Sequence, residues 1–130
     1  FDIRNNSIVE TATNRLIAGA ILSSKIHESV TTIGKEAFYE SCIASVDLHA
    51  GVTMIEDYAF DYSDITQIIC RATTPPTLGE SPFRLTNYSG RMKVPEESIS
   101  LYRSSWFLTD VGYLGWTNYR WGLVALAEGE

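Results

Sequence analysis

The sequence predicts an α+β repeat fold, a short solenoid whose coils share a parallel β-sheet and are joined by short helical or 3₁₀ turns. Three observations predict it. The segment that starts at Ile26 overlays the segment that starts at Leu48 without a gap, a shift of 22 residues. Polar and apolar residues alternate at the same place in both copies, as in half-buried strands. The chain of 130 residues, 45% of them apolar, is long enough for one domain with a core.

The repeat keeps its apolar positions and varies its polar ones. Lys35, for example, falls on Asp57, whereas Phe38 falls on Phe60. Units of this kind cannot bury their own apolar faces, but stacked neighbours bury them for one another. A period of 22 lies in the range of leucine-rich repeats, well below the roughly 33 residues of ankyrin units. The other apolar pairs are Val30 with Val52, Ile33 with Ile55, Ala37 with Ala59, Ile43 with Ile65, Val46 with Ile68 and Leu48 with Cys70.

Each unit is predicted to contain two short strands and one turn. Residues 44–48 and 66–70 alternate and form the first strand, while the β-branched residues of 30–33 and 52–55 form the second. Between them, residues 35–39 and the equivalent 57–60 are predicted to be single helical or 3₁₀ turns that bury a phenylalanine.

Residues 28–42, E-S-V-T-T-I-G-K-E-A-F-Y-E-S-C, resemble the BspA-like leucine-rich repeat, whose unit runs P-x-S-V-T-x-I-G-x-x-A-F-x-x-C. The second copy, residues 51–60, has Glu56 where the family has glycine, which questions the local turn there. His27 stands where the family usually has proline.

The resemblance continues at both ends. Residues 8–19 look like a hairpin insert with its turn at Thr13 and Asn14, and residues 93–102 look like the closing strand and helix. It implies a right-handed leucine-rich-repeat solenoid with an N-terminal hairpin and a C-terminal cap. We expect a single domain, 1–130, divided into a hairpin region (1–25), repeats (26–94) and a cap (95–130). The remaining matches are residues 70–79 with the last repeat, 116–119 with the final W-x-x-Y, and 123–126 with a final strand.

The resemblance also implies a function. BspA-like proteins are surface or secreted proteins of host-associated bacteria, so we expect a non-catalytic extracellular binding or adhesion module. Its expected partner is a host or bacterial surface protein, with a glycan as the second class of ligand. The alternative is a structural spacer that displays another domain of a longer surface protein.

Composition excludes other classes. A formal charge of −6 argues against nucleic acid, which recruits basic patches. No stretch of eighteen uncharged apolar residues suggests membrane insertion. The chain begins at Phe1, and we expect a mature or trimmed form whose signal peptide was removed or lies outside it.

The predicted binding surface is the outward face of the parallel sheet. If Val46 and Leu48 point inward, the side chains between strands follow one row at the repeat spacing. We predict that a ligand contacts this row and the neighbouring Gln67, against the alternative of a solvated face. The row consists of Lys25, Asp47, Ile69 and Lys93.

Aromatic residues near the C-terminus offer a second candidate surface. Trp116 and Tyr119 are better explained as cap residues, because the last coil must be closed off from water. For Trp106, Phe107 and Tyr113 the choice between cap and ligand site stays open, and Trp106 is kept as a candidate ligand contact.

No catalytic or metal site is predicted, and no cofactor. His27 and His49 are equivalent, but a zinc site needs three or four ligands, so coincidence in a variable turn is preferred. Cys42 and Cys70 do not form a disulfide framework and are expected to be unbonded. A nucleophilic pair of Cys42 with His49 lacks a third, orienting group.

Overall fold

The structure is a computed structural model, and it shows strands that stack in parallel at the repeat spacing. Within its described part, no helix is long and apolar enough to cross a membrane. The residues it describes are 2–4, 7–10, 13–18, 25–41, 43–80, 82, 91–107, 122–127 and 129.

One sheet has four parallel strands in the order β10-β9-β7-β5. Lys25 extends it by a parallel bridge to Asp47. The burial of β5 and β7 alternates between half-buried and buried, which confirms the period of two read from the sequence. The strands are β5 (Ser45–Leu48), β7 (Gln67–Cys70), β9 (Arg91–Val94) and β10 (Gly122–Ala125).

The other sheet has six strands in the order β1-β2-β3-β4-β6-β8. Strands β1, β2 and β3 pair antiparallel, and the turn between β2 and β3 contains Asn14 with φ 53°. Strands β3, β4, β6 and β8 pair in parallel, so the predicted hairpin docks onto the repeats. The strands are β1 (Asp2–Arg4), β2 (Ser7–Glu10), β3 (Arg15–Ala18), β4 (Thr32–Ile33), β6 (Met54–Ile55) and β8 (Thr77–Leu78).

From β4 to β9 the chain alternates between the two sheets, once per half-repeat. Residues 22 apart are paired neighbours: Val46 with Ile68, and Ile33 with Ile55. All four of these side chains are completely buried. This arrangement is consistent with a repeat solenoid whose core lies between the sheets.

The connections at 35–40 and 57–62 are hydrogen-bonded turns rather than the helical or 3₁₀ turns predicted. Glu36, Glu40, Tyr58 and Tyr62 have φ between 54° and 58°, which no right-handed helix contains. The reason is the neighbouring coil: the N–H groups of residues 36, 38 and 40 donate to the carbonyls of 57, 59 and 61. A helix would keep those donors within its own turn.

Glu56 leaves its turn intact. Its N–H donates to Ile33 O at 2.9 Å, just as Gly34 N–H donates to Leu16 O at 2.8 Å. The Glu56 carboxylate accepts from Arg15 Nε and from Lys35 N–H. A Cβ at Gly34 would lie only 2.2 Å from Leu16 O, so glycine is needed under the hairpin but not one coil later.

The C-terminal side of the repeats is covered by a helical segment that follows β9. It consists of a 3₁₀ turn at Glu96–Ser98, the α-helical turn α1 at Ile99–Tyr102 and a π-helical turn at Arg103–Phe107. Tyr102 is completely buried in the core. Strand β9 and this helical segment confirm the predicted closing strand and helix.

Candidate functional site

The parallel sheet brings the predicted row of residues into register. Lys25 pairs with Asp47, Asp47 with Ile69, and Ile69 with Lys93. Strand spacing therefore places successive members about 4.8 Å apart. Lys25 is exposed and the other three are half-buried. These side chains form one continuous row, as the repeat spacing predicted.

A second row runs beside the first, two residues earlier in each strand. Ser45 pairs with Gln67, and Gln67 pairs with Arg91. Gln67 is half-buried and Arg91 is exposed. Ser23, the predicted first member of this row, lies outside the described residues.

Strand β10 extends the first row by one residue. Val124 pairs with Lys93 and is half-buried. Lys93 is therefore flanked on its row by two apolar side chains, Ile69 and Val124. Sequence reasoning predicted the strand but not its neighbour, because strand order depends on how the intervening residues 95–121 return the chain to the sheet.

Arg71 is the residue of this surface that sequence reasoning missed. Its Nε donates to Asp47 Oδ1 at 2.9 Å and its Nη2 donates to Asp47 Oδ2 at 2.9 Å. This planar two-bond geometry orders both side chains and leaves less of the carboxylate to a ligand than predicted. The signal was available: Arg71 lies two residues beyond Ile69, the strand partner of Asp47, and points to the same face.

These residues define what we call the parallel-sheet face. Its members are Lys25, Ser45, Asp47, Gln67, Ile69, Arg71, Arg91, Lys93 and Val124.

His27 and His49 have a structural role in the turns that follow the sheet. His27 Nδ1 accepts the backbone N–H of Ser29 at 3.1 Å, and His49 Nδ1 accepts that of Gly51 at 3.0 Å. The repeated contact explains why equivalent positions both carry histidine. No group of three or more histidine, cysteine, aspartate or glutamate side chains that could hold a metal occurs within the described ranges.

Trp106 is a core residue, which corrects its prediction as a ligand contact. Its side chain is 1% exposed, and its ring meets Tyr102 edge-on with the centroids 4.9 Å apart. The indole Nε1 donates to Pro76 O at 3.1 Å. The indole instead closes the end of the core, where a bulky apolar group with one satisfied donor fits. Tyr113, Trp116 and Tyr119 lie outside the described residues, as does the side chain of Phe107.

Cys70 is also built into this end of the core. It is buried, and the Tyr102 hydroxyl lies 3.2 Å from its Sγ and 2.6 Å from Ala72 O. Burial raises the pKa of the Cys70 thiol to about 11. A neutral, enclosed thiol is a poor nucleophile. Cys42 lies outside the described residues, so the predicted absence of a bond between the two cysteines stays a prediction.

Comparison with known proteins gives one match. The family model described as BspA type leucine rich repeat region matches residues 18–111, in six copies. No curated protein and no solved structure matches the chain. The matched region contains β4 to β9 and the helical segment, and therefore every predicted ligand-binding residue.

Proposed function

Because the chain belongs to the family of BspA-type leucine-rich repeat proteins, we propose that it is a non-catalytic module that binds a protein through the parallel-sheet face. The observation that carries this proposal is the register of Lys25, Asp47, Ile69 and Lys93, which forms a continuous surface across the strands. Repeat proteins use such continuous faces for binding.

The charge of the face indicates the chemistry of the partner. The chain carries a net charge of −6, yet four cationic residues and one carboxylate belong to this face. The cations are Lys25, Arg71, Arg91 and Lys93, and the carboxylate of Asp47 is already paired with Arg71. An acidic protein surface complements this arrangement and would be steered to it.

The apolar part of the face would supply most of the contact energy. Ile69 and Val124 lie on either side of Lys93 and are half-buried, so their remaining exposed surface is available for burial against a partner. Cations at the rim speed association more than they hold the complex. We therefore place the centre of the interface at Gln67 and Ile69.

The proposed setting is the cell surface or the extracellular space, with a host or bacterial surface protein as the partner. A glycan is the second class of ligand. We also keep as proposals the single domain over 1–130 and the right-handed hand of the coil, the hand of nearly all parallel crossovers.

Binding to an immobilised panel tests the proposal. The panel holds purified extracellular matrix proteins, surface proteins of neighbouring bacteria and, as separate spots, glycans. Ile69→Glu places a carboxylate at the proposed centre and should weaken binding to a protein spot about tenfold or more. Met54→Glu is the matched control, since Met54 is 36% exposed on the other sheet.

Three outcomes are distinguishable, provided both variants keep the parent's circular dichroism spectrum. Loss of binding in Ile69→Glu alone supports the parallel-sheet face. Equal binding by Ile69→Glu and the parent rejects it. A parent that binds no spot supports the alternative role, a spacer that displays another domain.

A further inference from the structure

A second surface feature lies on the turns that connect the two sheets and shares no residue with the parallel-sheet face. It is a cleft of about 310 Å³ between the turns at 35–40 and 57–62. We call it the tyrosine cleft. Its lining residues are Lys35, Glu36, Tyr39, Tyr58, Asp61 and Tyr62.

Two of the tyrosines are unusually exposed for large aromatic side chains. Tyr39 is 42% and Tyr62 is 45% exposed. Their ring centroids are 6.0 Å apart and the ring planes meet at 77°, so the rings form two walls of a corner. Tyr58 lines the same cleft. Core packing does not account for such rings at the surface, because the core position of each turn is already filled by Phe38 or Phe60.

The backbone holds this arrangement at a cost. Glu36, Tyr58 and Tyr62 all have φ between 54° and 58°, a region that a glycine would occupy far more readily. A bulky side chain in the left-handed region is an outlier, and such outliers cluster at ligand sites. Three of the six residues that line the cleft have this conformation.

The electrostatic environment of the cleft is negative. Glu36 and Asp61 line it, and Glu40 hydrogen-bonds Tyr39. The pKa of the Tyr39 phenol is raised, first by that hydrogen bond and the charge of Glu40 and further by the charge of Asp61. Lys35 is the one cation among the lining residues.

We propose that the tyrosine cleft binds a small organic cation through its ammonium group. Aromatic faces attract cations, and the attraction is strongest when neighbouring carboxylates share the charge. A volume of about 310 Å³ is at the lower limit of small-molecule sites, which suits a compact headgroup rather than a long ligand. Primary and quaternary ammonium groups share this chemistry.

Titration with matched probes tests the proposal on the whole chain, followed by NMR chemical shifts. Choline supplies a quaternary ammonium, n-butylammonium a primary one, and 3,3-dimethylbutanol is the neutral isostere of choline. At least one ammonium should bind, and the neutral isostere about tenfold more weakly. The comparison of the two ammonium probes identifies the preferred source of the charge.

Two substitutions give opposite expected signs. Tyr62→Gly suits the positive φ, so it preserves the turn while removing one ring, and should weaken ammonium binding about two- to fivefold. Lys35→Gln removes the competing cation and should tighten binding about twofold or more. Ile69→Glu, on the parallel-sheet face, is the control and should leave the affinity unchanged.

The proposal is overturned if neither ammonium binds at concentrations up to about 50 mM, a range in which such weak sites still saturate. It is also overturned if the neutral isostere binds as well as choline, because the cleft would then be merely apolar. Weaker ammonium binding by Lys35→Gln would contradict it as well. None of these results depends on whether the parallel-sheet face binds a protein.

Discussion

Phe60 and Phe38 connect two successive coils through their side chains. Their rings stack with centroids 5.0 Å apart and planes within 8°, and the side chains are 0% and 2% exposed. Because every coil must bury its apolar face on its neighbours, this stack is a sensitive test of the repeat interpretation. Phe60→Ala removes one ring and leaves a cavity between the turns.

The expected cost follows from three contributions. Full burial of a phenylalanine contributes about 1.5–3 kcal/mol, and stacking adds about 0.5–1.5 kcal/mol. The cavity adds more because the surroundings relax only partly, so the total is about 3–5 kcal/mol. A chain of 130 residues has a free energy of unfolding of about 6–20 kcal/mol. Phe60→Ala therefore removes a substantial fraction of it.

Urea unfolding followed by circular dichroism measures this cost. The midpoint should fall while the slope with urea stays equal to that of the parent, which identifies a change in stability alone. Leu101→Ala is the control: its side chain is 47% exposed, so its effect should stay within about 0.5 kcal/mol. The double variant with Phe38→Ala should cost less than the sum of the single variants, because the rings touch. An unchanged midpoint in Phe60→Ala would refute the stacked-coil reasoning.

Three further predictions concern Cys70, Arg71 and His49. In a Cys42→Ser variant, the Cys70 thiol should stay unreactive towards a disulfide reagent at pH 8 until urea unfolds the chain, since its pKa is about 11; rapid reaction of the folded variant would contradict its burial. Arg71→Leu should lower the free energy of unfolding by about 1 kcal/mol through loss of the two-bond contact with Asp47. After Asp47→Asn the same change should cost clearly less, and an equal cost would show that the pair is not coupled. His49→Ala should cost about 1 kcal/mol and His49→Asn less, since the asparagine oxygen can also accept a turn N–H; a rise in melting temperature with added zinc would instead indicate a metal site.

The sequence by itself determined the repeat, because its signal is periodic and local. Val46 and Ile68 share a position in successive units, and a shift of 22 residues places them on neighbouring strands without any knowledge of the structure. The same shift found the row from Lys25 to Lys93, since strand pairing carries the side-chain alternation from coil to coil. The candidate face could therefore be predicted residue by residue.

Only the tertiary structure decided the turns, the cap and the ion pair. Tyr58 and Tyr62 take positive φ because their coils exchange backbone hydrogen bonds with neighbours, a constraint that local propensity does not contain. Trp106 is buried because a tertiary contact, the carbonyl of Pro76, accepts its only donor. Arg71 meets Asp47 diagonally across two strands. In each case the deciding partner lies more than 20 residues away or in another coil, and a local sequence pattern cannot identify it.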